Sequence, residues 1–224
     1  MVIAIDGPSA SGKGTVAKIL ATRLDFVYLS TGDIYRGITI WFLQNDADYD
    51  DHDSCRKILE KINFRVCVEH GDTHVYLNDK DVTGELHTPE VCDNVYHVAK
   101  MPFVREKVRA IQHDTAKDTN LVCEGRDITS VVFPDARFKF YLTASVKARA
   151  TRRMKQLAGK GFKHVTLESV KNTIADRDRA DMTREISPLI RMPDAIVIDC
   201  TRMSAERVVK KMQRKMDKAT KKGG

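Results

Sequence analysis

The chain has 224 residues, 42% of them hydrophobic, with 38 Lys and Arg against 31 Asp and Glu and a formal net charge of +7. That length suits one α/β domain with a modest insertion or two small domains, and the apolar content excludes an intrinsically disordered chain. No stretch approaches the ~18 consecutive apolar residues needed to cross a bilayer, the opening segment lacks a basic flank and a cleavage site, and the five cysteines show no CxxC spacing, so a cytoplasmic protein without a disulfide framework or zinc site is expected.

Val2–Asp6 is a short apolar run that reads as a buried parallel strand, and Gly7–Thr15 follows it directly. Val16, Leu20, Arg23 and Leu24 then fall on one stripe of a helix, and Phe26–Leu29 reads as a second strand. The gap to the next strand-like run, Leu121–Glu124, is about 90 residues, against the ~30 of an ordinary βαβ unit, so something is inserted. Within it Phe64–Val68 alternates with a period of two, and so, loosely, does His74–Leu77. Turns over 69–72 and 78–80 separate these runs and predict a small antiparallel sheet. Pro89 and Pro102 each suit a first helical position, and Val104, Val108 and Ile111 support the second of these helices.

Beyond Leu121–Glu124, the runs Phe138–Thr143 and Ala195–Asp199 complete five strands. Buried strands alternating with helices predict a doubly wound parallel sheet, an α/β fold. Arg149, Arg152 and Arg153 sit at i, i+3 and i+4 of a predicted helix, Arg177, Arg179 and Arg184 follow further on, and Gly159–Gly161 between them reads as a hairpin tip. This pair of arginine-bearing helices, over about 152–184, reads as a lid that closes on phosphate and excludes water. The basic tail, Lys215–Gly224, reads as a solubilising end.

Gly7-Pro8-Ser9-Ala10-Ser11-Gly12-Lys13-Gly14-Thr15, placed between a strand and a helix, predicts a loop that binds the phosphates of ATP. A helix start leaves unpaired N–H groups, glycines let the backbone wrap an anion, and Lys13 adds a mobile charge to the β- and γ-phosphates. Gly14 stands where a hydroxyl residue usually follows the lysine, so Thr15 is the candidate Mg²⁺ contact, directly or through water. Glu124-Gly125-Arg126-Asp127 follows a buried strand at the edge where open α/β sheets hold ligands. Arg126 there can stabilise a transferring phosphate and Asp127 can accept from an amino group.

The segments IDGPSASGKGT, TGDIYR (31–36), VAKMPFVRE (98–106), EGRDITSVVFPDA (124–136), RRMKQL (152–157) and 177–189 resemble bacterial-type cytidylate kinases over nearly the whole chain. That resemblance implies a P-loop kinase core over 1–37 and 112–224, an inserted three-stranded monophosphate-binding region over 38–111, and ATP with Mg²⁺ phosphorylating CMP and dCMP. It implies that Arg105 and Asp127 contact cytosine and that Thr31 and Asp181 contact the sugar. Arg36, Arg126 and Arg184 would hold the acceptor phosphate, with Arg177 nearby, and Lys13, Arg126, Arg149, Arg153 and Arg177 would carry the catalytic charge. Tyr96 falls where the family often has a serine that bonds the base. The resemblance also implies a monomer.

The residues alone do not choose cytosine; UMP, AMP or a small metabolite remain possible acceptors. A GTPase switch is disfavoured by the absence of an Asn/Thr-Lys-x-Asp motif. A nucleic-acid groove is disfavoured because the excess charge lies in the lid and tail without interleaved aromatic residues.

Overall fold

The structure, a computed structural model, describes residues 1–69, 72–159 and 165–221. Its strands are β1 (Val2–Asp6), β2 (Val27–Ser30), β3 (Phe64–Glu69), β4 (Asp72–Leu77), β5 (Lys80–Asp81), β6 (Leu121–Gly125), β7 (Phe138–Thr143) and β8 (Ile196–Asp199). Its helices are α1 (Lys13–Leu24), α2 (Thr31–Gln44), α3 (His52–Glu60), α4 (Pro89–Val98), α5 (Pro102–Lys117), α6 (Val146–Gly159), α7 (Leu167–Thr183) and α8 (Ala205–Thr220).

β2, β6, β1, β7 and β8 form, in that order, a five-stranded parallel sheet. Ile3 pairs with Phe138 and Phe140 with Ile196 in the parallel ladders of β1–β7 and β7–β8. All five expected core strands are found, displaced by no more than a residue at their ends. Ile3, Ala4 and Ile5 are fully buried, as strands covered on both faces by helices must be. The chain turns from one side of β1 to the other within this order, which makes the carboxyl end of β1 a switch point where open α/β sheets bind ligands.

The chain divides into two compact units, Met1–Asp25 with Val122–Gly224, and Phe26–Leu121. The second unit starts before and ends after the 38–111 span expected for the insertion.

In the first unit α1 packs against α8. Val16, Ala17, Leu20 and Ala21 are buried from α1, and Val208, Val209 and Met212 from α8. Arg23, on the same stripe of α1 as Val16 and Leu20, is exposed and pairs with Glu206 and Gln213 on α8. It lies in the last turn, where a cation complements the helix dipole and needs no burial. α6 and α7 form an antiparallel hairpin around Ala150, Val170 and Ile174, against which Ala10 also packs. The expected tip at Gly159–Gly161 runs past Gly159 into residues outside the described ones.

In the second unit β3, β4 and β5 make the expected three-stranded antiparallel sheet. Leu77 faces Lys80 across a two-residue turn in which Asn78 and Asp79 have φ of 47° and 66°. That conformation matches the twist of the strands and suits Asn and Asp. The two expected proline-led helices are α4 and α5. No helix among the described residues is long and apolar enough to cross a membrane.

Candidate functional site

The loop after β1 is shaped by two conformations that ordinary side chains resist. Gly7 has a φ of 153°, and a Cβ there would stand 2.1 Å from the Leu142 carbonyl oxygen. Ala10 is left-handed at φ 56°, and so is Gly12, the residue before α1, at φ 93°. No side chain caps the start of α1 and its first turn carries no acid. Its leading N–H groups and the positive end of its dipole therefore face the loop without a protein anion. Around the loop, cations take the carbonyls: Lys13 Nζ donates to Pro8 O at 3.0 Å, Arg149 Nη1 to Ser9 O at 2.9 Å, and Arg152 Nη1 to Ser11 O at 3.2 Å. Drawing carbonyls away turns the amides inward, the arrangement of an anion-binding nest. The Ser11 hydroxyl is buried with no hydrogen-bond partner among the described residues.

Lys13 is 5% exposed. Burial, aided by the nearby Arg126, lowers its pKa to about 7, and Glu124, Asp6 and Asp181 counteract only in part. A lysine so poised favours the arrival of an anion, because phosphate oxygens supply the negative charge its protonated form lacks.

Beyond β6, Arg126, Asp127, Asp181 and Arg184 come together. Arg126 Nε donates to Asp181 Oδ2 at 2.7 Å. Arg184 lies 3.8 Å from Asp181 and 3.9 Å from Asp127, and its Nε donates to Ser187 O at 2.6 Å. The stretch that aims Arg126 and Asp127 is fastened to β1. Buried Asp6 accepts from Ile128 N at 3.0 Å, Thr129 N at 2.7 Å and Thr129 Oγ1 at 2.6 Å, and so secures the π-helical turn Ile128–Val132. Burial raises the Asp6 pKa, and these three bonds work against that rise.

The arginines of α6 do not act as one stripe. Arg149 is 4% exposed and bonded to protein groups, Arg152 reaches the loop, and Arg153 is exposed. Arg177 on α7 is exposed as well. Sequence reasoning missed Asp6 and Asp178. The only available signals were an acid ending an apolar strand just before Gly7, and a second acid three residues before Asp181.

In the second unit, Thr31 opens α2 and its buried hydroxyl accepts from Gln112 Nε2 on α5 at 2.8 Å. Arg36 folds back over the first turn of α2, where a Cβ on Gly32 would lie 2.7 Å from its Nη1, so a side chain there would displace the guanidinium. Arg36 Nη1 meets Asp33 at 3.4 Å, and its Nε is buried with no hydrogen-bond partner among the described residues. A guanidinium in that state suits a bidentate anion. Arg105 is buried, donates to Ala99 O at 2.9 Å and lies 5.7 Å from the Tyr35 ring centroid. Tyr96 is 45% exposed on α4, with the Lys100 ammonium 3.9 Å over its ring. Among the described residues no group of three or more His, Cys, Asp or Glu converges to hold a metal. Near the loop, the exposed Thr15 hydroxyl is one oxygen donor that suits Mg²⁺.

Residues 3–218 match the family model described as cytidylate kinase. The chain is 42% identical over 212 residues to the cytidylate kinase of Carboxydothermus hydrogenoformans, covering 95% of each chain. It is 41% identical over 215 residues to that of Protochlamydia amoebophila, covering 95% of this chain and 94% of the relative. Among solved structures, an uncharacterized protein from Eubacterium ventriosum matches with a TM-score of 0.55 at 12% identity, over 97% of this chain and 98% of the other. A Thermus thermophilus protein matches with a TM-score of 0.50 at 18% identity, over 96% and 97%. These structural likenesses speak to the fold, and the full-length sequence likeness goes further: the chain belongs to the cytidylate kinase family.

Proposed function

We propose that the protein transfers the terminal phosphoryl group of ATP to the phosphate of CMP and dCMP, giving CDP and dCDP. The observation that carries this reading is the loop Gly7–Thr15, with its carbonyls drawn outward and Lys13 held near neutrality beside Arg126. Such a loop has little use except to receive a polyanion. The choice of cytidine follows the family's name.

The transfer needs no covalent intermediate, because the acceptor phosphate is already anionic near neutral pH. Positioning and charge stabilisation do the work. Loop amides and Lys13 hold the β- and γ-phosphates of ATP. Arg126 and Arg184, braced by Asp181, face the acceptor phosphate with Arg36, while Arg153 and Arg177 close from the α6–α7 lid. Thr31 and Asp181 take the sugar, and Arg105, Asp127 and Tyr96 the base. Thr15 would hold Mg²⁺, directly or through water, and the ion would supply charge neutralisation at the phosphates. In this reading 38–111 is the monophosphate-binding region, and the enzyme is a cytoplasmic monomer acting on free nucleotides rather than on nucleic acid.

Steady-state assays with CMP, dCMP, UMP and AMP test it. CMP and dCMP are expected to give the highest kcat/KM. A preference for AMP of about tenfold, equivalent to ~1.4 kcal/mol of transition-state binding, would defeat the cytidine assignment.

A further inference from the structure

We infer that Asp178 and Arg149 are positioning residues that clamp Ser9 and thereby set the affinity of the loop for polyphosphate. The inference rests on the reading of Gly7–Thr15 as a phosphate loop. Asp178, on α7, is 8% exposed. Its Oδ1 accepts from Ser9 N at 2.9 Å and its Oδ2 from Arg149 Nη1 at 2.5 Å. The same Nη1 donates to Ser9 O at 2.9 Å, and Arg149 Nε donates to Ala144 O at 3.0 Å. One buried ion pair thus grips both backbone polar groups of a single loop residue, one from each helix of the α6–α7 hairpin.

The next residue shows what the grip is for. Ala10 holds a left-handed φ of 56°, a conformation that persists only where its surroundings enforce it. Ala10 also packs against Ala150, Val170 and Ile174. The base of the hairpin therefore braces the crest of the loop twice, ionically at Ser9 and apolarly at Ala10. A buried ion pair is weak support for overall stability, whereas fixing a conformation is a use such pairs do have. With Ser9 N–H given to Asp178, the anion-facing donors begin beyond Ser9. The base of the hairpin is thereby tied to the loop.

Titration of inorganic tripolyphosphate and, separately, CMP into the full chain tests the clamp. Asp178→Asn keeps an acceptor for Ser9 N–H but removes the charge facing Arg149, and Asp178→Ala removes both. Tripolyphosphate affinity is expected to fall about threefold in the first and about tenfold in the second, with CMP affinity held within about twofold. Arg149→Lys keeps a charge for Asp178 but cannot serve Ser9 O and Ala144 O together. It therefore also loses about threefold, which keeps the test open if Asp178→Ala does not fold. Unchanged tripolyphosphate affinity in the folded variants overturns the clamp. Equal losses for both ligands that track the fall in Tm also overturn it, since that is the mark of a merely structural pair. Absence of tripolyphosphate binding by the wild-type protein would instead sink the phosphate-loop reading itself, and the clamp with it.

Discussion

When a triphosphate enters the loop at pH 8, it meets a lysine that burial keeps mostly neutral. With a pKa of about 7, Lys13 carries its proton in roughly one molecule in ten at that pH, whereas beside phosphate oxygens its ordinary value near 10.4 returns and protonation is nearly complete. Binding should therefore draw in about 0.9 proton at pH 8 and only about 0.1 at pH 6. Calorimetric titration of tripolyphosphate in two buffers of unlike ionisation enthalpy measures this uptake, and Lys13→Met isolates the lysine. Uptake below about 0.2 proton at pH 8 in the wild type, or the same uptake in Lys13→Met, refutes the reasoning. The empty protein carries the matching signature. Between about pH 7 and 10.5 the unfolded chain holds a proton that the folded chain lacks. Stability therefore rises with pH across that window, by on the order of 5 kcal/mol if the whole difference is realised. Urea unfolding of the ligand-free protein should show that rise, and Lys13→Met should flatten it.

Other variants probe the frame around the lysine. Lys13→Ala should lower turnover by about 100-fold or more while circular dichroism stays native, as expected for loss of a phosphate-facing charge. Gly7→Ala drives a Cβ into the Leu142 carbonyl and should cost roughly 3 kcal/mol or more in urea unfolding; a loss under about 1 kcal/mol would contradict the close approach of loop and strand. Thr129→Val removes one of the donors to Asp6 and should destabilise by about 1–3 kcal/mol, with kcat falling more than KM for ATP as Arg126 loses its aim. Thr31→Val removes the acceptor of the Gln112 amide and should cost about 1 kcal/mol in stability and raise KM for CMP but not for ATP.

The core strands could be read from the chain because strands buried on both faces are continuous apolar runs. Val2–Asp6 and Phe138–Thr143 need no context to be recognised. The loop was equally open to reading, since Gly7 and Gly12 each answer a local demand of the backbone. The α6 arginines were not. Spacing put Arg149, Arg152 and Arg153 on one face, but which cation reaches phosphate and which serves the protein depends on Asp178, 29 residues further along the chain. Asp6 escaped for a related reason: its partners at Ile128 and Thr129 lie 122 and 123 residues away, and a side chain's long-range donors leave no periodic trace. Arg23 shows the limit of a stripe near a helix end, where the last turn can let a residue swing out to a partner such as Glu206.

The first compact unit is interrupted in sequence: β1 belongs to Met1–Asp25, yet it pairs with β7 near Phe138. On a ribosome the apolar strand Val2–Asp6 must wait for its neighbour while Phe26–Leu121 is synthesised, roughly 5–20 s at ordinary elongation rates. The intervening unit is contiguous and can fold during that delay. The order of birth thus favours a nascent chain in which Phe26–Leu121 is formed before the loop Gly7–Thr15 has a sheet to stand on. A truncated chain ending before β7 would expose an unpaired hydrophobic edge, the kind of surface chaperones recognise.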